Sequence, residues 1–289
     1  MGGDEMTSLD GRVAPTEITR RREVGTASAR SLLLTVLGEF VLPQDAPVWT
    51  STLVRLLGEL GVEEKAARQA LMRLAGDGWI VADRHGRRAR WSLTPAGERL
   101  LADGTRRIYS FAASVRQWDG TWLLLSVDVP EGGRALRQKL RTRLAWAGFG
   151  QLPGGLWISP RPEREEEAAR ALADLGLGDA ALSFRARSGA VGAPDAMVRQ
   201  AWDLEELAHD YDEFLRAVTS LEPDGPGQTL AYQVRLVQEW RRFPLRDPGL
   251  PRQFLPVEWS GEVAADLFHR RHAAWAGLAW TGWRALAAE

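Results

Sequence analysis

The chain has 289 residues, a formal net charge of -1, 45% hydrophobic residues and no cysteine. That length supplies two or three domains with real cores, and a chain without cysteine has neither disulfides nor thiolate chemistry. No apolar run reaches the length of a membrane span. The polar start MGGDEMTSLDGRVAPTEITRRREVG lacks the hydrophobic region of a secretion signal, so a cytoplasmic protein is expected.

Charge is spread unevenly. Residues 1–110 hold 16 Lys/Arg against 14 Asp/Glu, residues 111–190 hold 11 against 9, and residues 191–289 hold 10 against 15. A basic front and an acidic back suit a protein that offers one end to a polyanion.

Residues 1–27, with Arg20, Arg21 and Arg22, read as a disordered tail. A first helix is expected over Ser28–Leu42, with Ser28 as N-cap and Leu33, Val36, Leu37 and Phe40 at helical spacing. After the turn Pro43–Pro47, Thr50 caps a second helix striped by Leu53, Leu56, Leu57 and Leu60. The third helix, within VEEKAARQALMRLAGDGWIVADRHGRRARWSL, buries Ala67, Ala70, Leu71 and Leu74. Its other side carries Lys65, Arg68, Gln69, Met72 and Arg73. Gly76-Asp77-Gly78 stops it. Trp79–Ala82 and Ala89–Leu93 then read as strands around a basic turn.

Three short helices and a two-stranded hairpin outline a winged helix-turn-helix over residues 28–110. Arginine and glutamine donors address base edges in the major groove, so Lys65, Arg68, Gln69 and Arg73 are candidate readers of double-stranded DNA. The arginine fork suits phosphate oxygens, which assigns Arg84, Arg87, Arg88 and Arg90 to the wing. The bland reading of the same residues is a solvated helix face and a surface hairpin.

A further helix starts at Pro95. The order strand (Thr121–Val129), helix (Arg134–Ala147), strand (Gly150–Leu152), strand (Leu156–Ser159), helix (Glu163–Leu175), strand (Ala181–Arg187) is that of a ferredoxin-like domain over residues 111–190. Such sheets have free edges, which often pair across a dimer. Residues 191–289 read as a helical domain, with helices over Asp195–Val218, Gln228–Phe243 and Gly261–Leu286. The chain is therefore α+β and multidomain.

Taken in order, SARSLLLTVLGEFV, ARQALMRLAGDGW, LTPAG, WDGTWLLLSVDVPE, Gly148-Phe149-Gly150 with Gly155-Leu156-Trp157, and EWRRFPLRDPGLPRQFLPVEWSG resemble the phenylacetic acid degradation repressor (PaaX) family of bacterial transcription regulators. The resemblance spans about residues 28–285. It implies a homodimeric repressor of an aromatic-catabolism type, bound to a pseudo-palindromic operator and released by an acyl-CoA effector such as phenylacetyl-CoA. It also implies a central fold like that of a CRISPR-associated nuclease. That makes a metal-dependent nuclease the alternative function, with Asp128 at the end of the first central strand as its single carboxylate.

Trp240, Arg241, Arg242, Arg246 and Arg252 are the candidate effector-binding residues, since arginines suit the phosphates of a CoA thioester and aromatics its rings. The equal alternative is that Trp240, Phe243, Leu250, Leu255 and Trp259 are core, with Asp247 paired to an arginine. His269 and His272, with Asp266, advance by three along a helix and read as a solvent-facing polar stretch. His209 reads as solvated. No catalytic constellation, resident cofactor or metal site is expected, so the chain is not read as an enzyme.

Overall fold

A computed structural model describes residues 28–112 and 118–288; the segment read as a tail, Arg20, Arg21 and Arg22 included, lies outside them. The chain is α+β, with two small antiparallel sheets among many helices.

The first unit runs α1 (Ala29–Val36), β1 (Val48–Trp49), α2 (Thr50–Glu59), α3 (Glu64–Gly76), β2 (Ile80–His85), β3 (Arg88–Leu93) and α4 (Pro95–Ser110). Ser28 caps α1, its hydroxyl accepting from the Ser31 amide. Leu37–Val41 then widens into a π-turn. Thr50 is not the cap of α2. Trp49 holds that position, and the Thr50 hydroxyl donates to the Ala89 carbonyl while accepting from the Trp91 indole. Those contacts bring in β1 as a third strand, in the order β1-β3-β2, where the hairpin alone was expected.

The central unit contains β4 (Thr121–Val127), α5 (Arg134–Trp146), β5 (Gly150–Gln151), β6 (Leu156–Ser159), α6 (Glu165–Asp174) and β7 (Ala181–Arg187), with strand order β5-β6-β4-β7, all antiparallel. Alternation along β4 sends Leu123, Leu125 and Val127 under α5 and α6, and Trp122 to the opposite face.

The last unit contains α7 (Pro194–Ala201), α8 (Leu204–Thr219), α9 (Pro226–Trp240), α10 (Phe243–Arg246) and α11 (Ser260–Ala288). One helix was expected over Asp195–Val218, and two form. Trp202 takes an extended conformation, and the Asp203 carboxylate restarts the helix by accepting from the Glu206 amide at 2.9 Å.

The first and last units share a core. Leu33, Val36, Phe40, Leu53, Leu71 and Leu74 pack in one cluster with Leu230 and Val234 of α9 and Ala279, Trp283 and Leu286 of α11. Trp283 stacks on Phe40 at 5.3 Å, and Trp280 meets the same ring edge-on at 5.2 Å. A polar node sits beside them. Glu39, from the π-turn, accepts from the Tyr109 hydroxyl and from Gln233, and its Oε2 lies 3.0 Å from His272 Nε2. Burial and the adjacent Glu39 carboxylate push the Tyr109 phenol far above its ordinary range. His272 was expected to face solvent; it faces inward, because α11 presents that side to α4.

Trp283→Ala is expected to cost about 3–5 kcal/mol, the usual penalty for emptying a large aromatic site. Urea unfolding followed by circular dichroism measures it. A loss below about 1 kcal/mol would mean that the two units do not depend on this contact.

Candidate nucleic-acid interface

Helix α3 buries Ala67, Ala70, Leu71 and Leu74 against α1 and α2, so its opposite side is left to solvent. Small alanines let it lie close to its neighbours. The exposed side is a shallow open surface lined by Glu64, Lys65, Arg68, Gln69, Met72 and Arg73. All four sequence-predicted helix residues therefore stand together. Arg68 donates to Glu64 Oε1 from Nε and Nη2, both at 2.7 Å, one turn apart on an exposed surface. Such a pair contributes at most a few tenths of a kcal/mol, about 0.3–0.5, so a competing acceptor can displace it. Lys65 and Arg73 make no ion pair among the described residues.

The hairpin turns through Gly86-Arg87, between the paired His85 and Arg88. Gly86 supplies the positive φ, 63°, that a two-residue turn needs. Arg84 and Arg87 are exposed and without an ion pair among the described residues. Arg88 and Arg90 behave differently. Both guanidinium groups lie over the Trp49 ring, at 4.8 and 4.1 Å from its centroid, and His85 meets the same ring edge-on. His85 also lies 2.8 Å from the Asp83 carboxylate. Trp49 thus holds two of the four hairpin arginines in place. Sequence reasoning missed it, because the two-residue strand that carries Trp49 has no periodicity to detect.

The C-terminal candidates are spread over separate neighbours. Trp240 is fully buried, stacked on Phe268 at 4.7 Å, and its indole donates to the Ile108 carbonyl. Arg241 donates to the Ser31 carbonyl and the Thr35 hydroxyl of α1, and burial lowers its pKa. Arg242 donates to the Asp210 carbonyl and covers the Phe243 ring. Arg246 pairs with Glu206 and Asp210. Arg252 gathers the carbonyls of Leu255, Pro256 and Val257. Asp247 accepts from the Tyr211 phenol and from the Gly249 amide, each at 2.6 Å, and also feels the attraction of Arg161 and Arg164.

Asp128 is exposed just past β4, beside a pocket of about 260 Å³ that Arg137, Arg141 and Gln151 also line. No group of three or more His, Asp or Glu side chains gathers around it among the described residues. His209 is exposed and paired with Glu213. Among the described residues no helix is long and apolar enough to cross a membrane.

Family models match three consecutive stretches of this chain. The "PaaX-like protein" model matches residues 28–97, the "PaaX protein central Cas2-like domain" model residues 115–198, and the "PaaX-like protein C-terminal domain" model residues 202–284. The transcriptional repressor PaaX of Escherichia coli (strain K12) is 31% identical over 252 residues, 83% of this chain and 78% of its own. Among solved structures, the uncharacterized protein Rv0674 from Mycobacterium tuberculosis superposes with a TM-score of 0.58. That match covers 90% of this chain and 98% of the other at 25% identity.

Burial pushes the Asp247 carboxyl up, against hydrogen bonds from Tyr211 and Gly249 and the pull of Arg161 and Arg164. A raised folded pKa gives stability that is full below the unfolded value, about 3.9, and is lost as pH rises through the folded value. Asp247→Asn removes that titration. The stability of the variant relative to the parent is therefore expected to rise as pH rises from about 4 to 7. Urea unfolding at several pH values reads the difference; a gap that does not change with pH would remove Asp247 as its source.

Proposed function

The chain belongs to the PaaX family, and on that premise we propose that it is a dimeric transcriptional repressor whose operator complex is released by an acyl-CoA. In this reading residues 28–110 are a winged helix-turn-helix, residues 111–190 a ferredoxin-like domain and residues 191–289 a helical domain. The observation that carries it is the pairing of an exposed, donor-rich α3 with an arginine-tipped hairpin stacked on Trp49. Lys65, Arg68, Gln69 and Arg73 enter the major groove, and Arg84, Arg87, Arg88 and Arg90 take phosphates. A twofold dimer sets two such helices on half-sites about one helical turn, roughly 34 Å, or a multiple apart. The protein works in the cytoplasm, where its DNA is.

The effector part rests on Arg241 and Arg242. These arginines connect α9 to α1 and α8. A polyanion that recruited them would loosen α9 from the helix that carries the DNA-binding core. By linkage, operator DNA then weakens the effector by the same factor. The repressor relative also disfavours the nuclease alternative on Asp128.

Arg68→Ala is expected to cost about 1–3 kcal/mol at the operator while leaving nonspecific duplex binding unchanged. Arg87→Ala should flatten the salt dependence by about one unit. Gel-shift titrations of both variants over a range of salt read these effects; equal losses on both DNAs for Arg68, or an unchanged slope for Arg87, would withdraw the respective role. Titrating phenylacetyl-CoA and other acyl-CoAs into the parent complex is expected to release the operator. If none in the panel does, the effector class is wrong while the DNA assignment stands.

A further inference from the structure

Strand β7 is the outer strand of the central sheet. It pairs with β4 through seven consecutive positions, from Thr121↔Arg187 to Val127↔Ala181, and nothing pairs with its other side among the described residues. Proteins usually blunt such an edge with proline, a bulge, a short strand or an inward charge. ALSFRAR has no proline, and its seven-residue register is unbroken; Arg185, opposite Leu123 on the α5–α6 face, is already neutralised by Glu165 of α6. Its apolar side chains also stand in solvent: Leu182 is 64% exposed and Phe184 52%. They continue two cross-strand rows on the face away from α5 and α6, Phe184–Leu124–Ile158 and Leu182–Ser126–Leu156. Ile158 is covered by α7 and its neighbours; the rows become progressively more exposed toward β7.

The two ends of the strand differ in charge. Arg185 and Arg187 lie toward its C-terminal end. At the other end stand Asp179 and Asp128, the latter joined to the strand start by its amide on the Ala180 carbonyl. Antiparallel pairing of two copies sets each cationic end against an anionic one, and parallel pairing would oppose like charges. A twofold axis at Phe184 also places Arg185 opposite the partner's Ser183, whose hydroxyl donates to Glu165 at 2.6 Å. Arg185 already pairs with Glu165 of its own chain at 2.9 Å, so the seam alternates in sign.

We infer that β7 pairs antiparallel with β7 of a second copy about a twofold at Phe184, making one continuous eight-stranded sheet across the dimer. The inference rests on the dimeric reading above and gives that dimer its interface. Leu182 then faces the partner's Ala186, large against small, and the two Phe184 rings meet at the axis.

The chain has no cysteine, so single substitutions report without background. In the full chain, Phe184→Cys is expected to cross-link to itself with a short bis-maleimide, and Val191→Cys, at a residue 97% exposed, is not. Phe184→Asp should raise the dimer dissociation constant more than about thirtyfold by analytical ultracentrifugation, with an unchanged far-ultraviolet circular dichroism spectrum. A parent dimer that Phe184→Asp leaves intact overturns the β7 interface and spares the dimeric reading. A parent that is monomeric while binding its operator overturns both. If the Phe184→Cys variant is monomeric and its thiol still resists maleimide, another occupant such as residues 1–27 covers the edge, and the inference is overturned.

Discussion

Phe40 packed between Trp280 and Trp283 is the contact on which the rest of the architecture depends. A unit of about 80 residues buries too little apolar surface to be robust by itself. Here α1, α2 and α3 complete their core with Leu230 and Val234 of α9 and with the last turns of α11. The orientation of α3 is therefore set by the far end of the chain. Gly282 makes the approach possible, because a Cβ there would lie 2.3 Å from the Pro226 carbonyl oxygen. The Glu39 node adds specificity to this packing. A buried carboxylate is costly unless its lone pairs are matched, and only one seating of α1 against α4, α9 and α11 brings Tyr109, Gln233 and His272 to it together.

The arginines divide by surroundings and not by sequence type. Arg241 and Arg242 are packed between helices and donate to backbone carbonyls, which compensates part of the desolvation of a guanidinium. Arg242 Nε remains buried without a partner, so that compensation is incomplete. Arg84 and Arg87 stand in solvent, with every donor available. Arg88 and Arg90 are intermediate, charged and wet on one side and stacked on Trp49 on the other. That last arrangement orients the guanidinium fork in advance and so restricts its freedom in the free protein.

Much of this was legible in the sequence, for physical reasons that also explain the gaps. Periodic apolar residues mark α1, α2, α3 and α5 because each helix buries one stripe, the apolar run in TWLLLSV marks a strand covered on both faces, and the alternation in ALSFRAR marks a strand at the edge. The outward residues of α3 followed from the same spacing, since what is not buried must face away. Features created by contacts distant in sequence left no local signal. The break at Trp202-Asp203 interrupts a stretch with good helical periodicity on both sides, and depends on Trp202 turning toward the central sheet. The stacking platform at Trp49, the partner of Asp247 and the inward turn of His272 each join residues more than thirty positions apart. Their spacing is a property of the fold and not of any one segment.

The three units meet at Arg107. Arg107 leaves α4 to donate to the Trp146 carbonyl ending α5 at 2.7 Å, to the Pro244 carbonyl in α10 at 3.3 Å and to Glu167 in α6 at 3.2 Å. One side chain thus ties the last helix of the first unit to both other units. Arg164 is held nearby, its pKa pushed down to about 10 by burial and by the neighbouring Arg161 and Arg107, and its Nη1 has no hydrogen-bond partner. Gly148 admits that guanidinium, since a Cβ there would sit 2.5 Å from Nη1. Three cations gathered at a joint repel one another and lose hydration, and Glu163, Glu167 and the buried Asp247 only partly offset that.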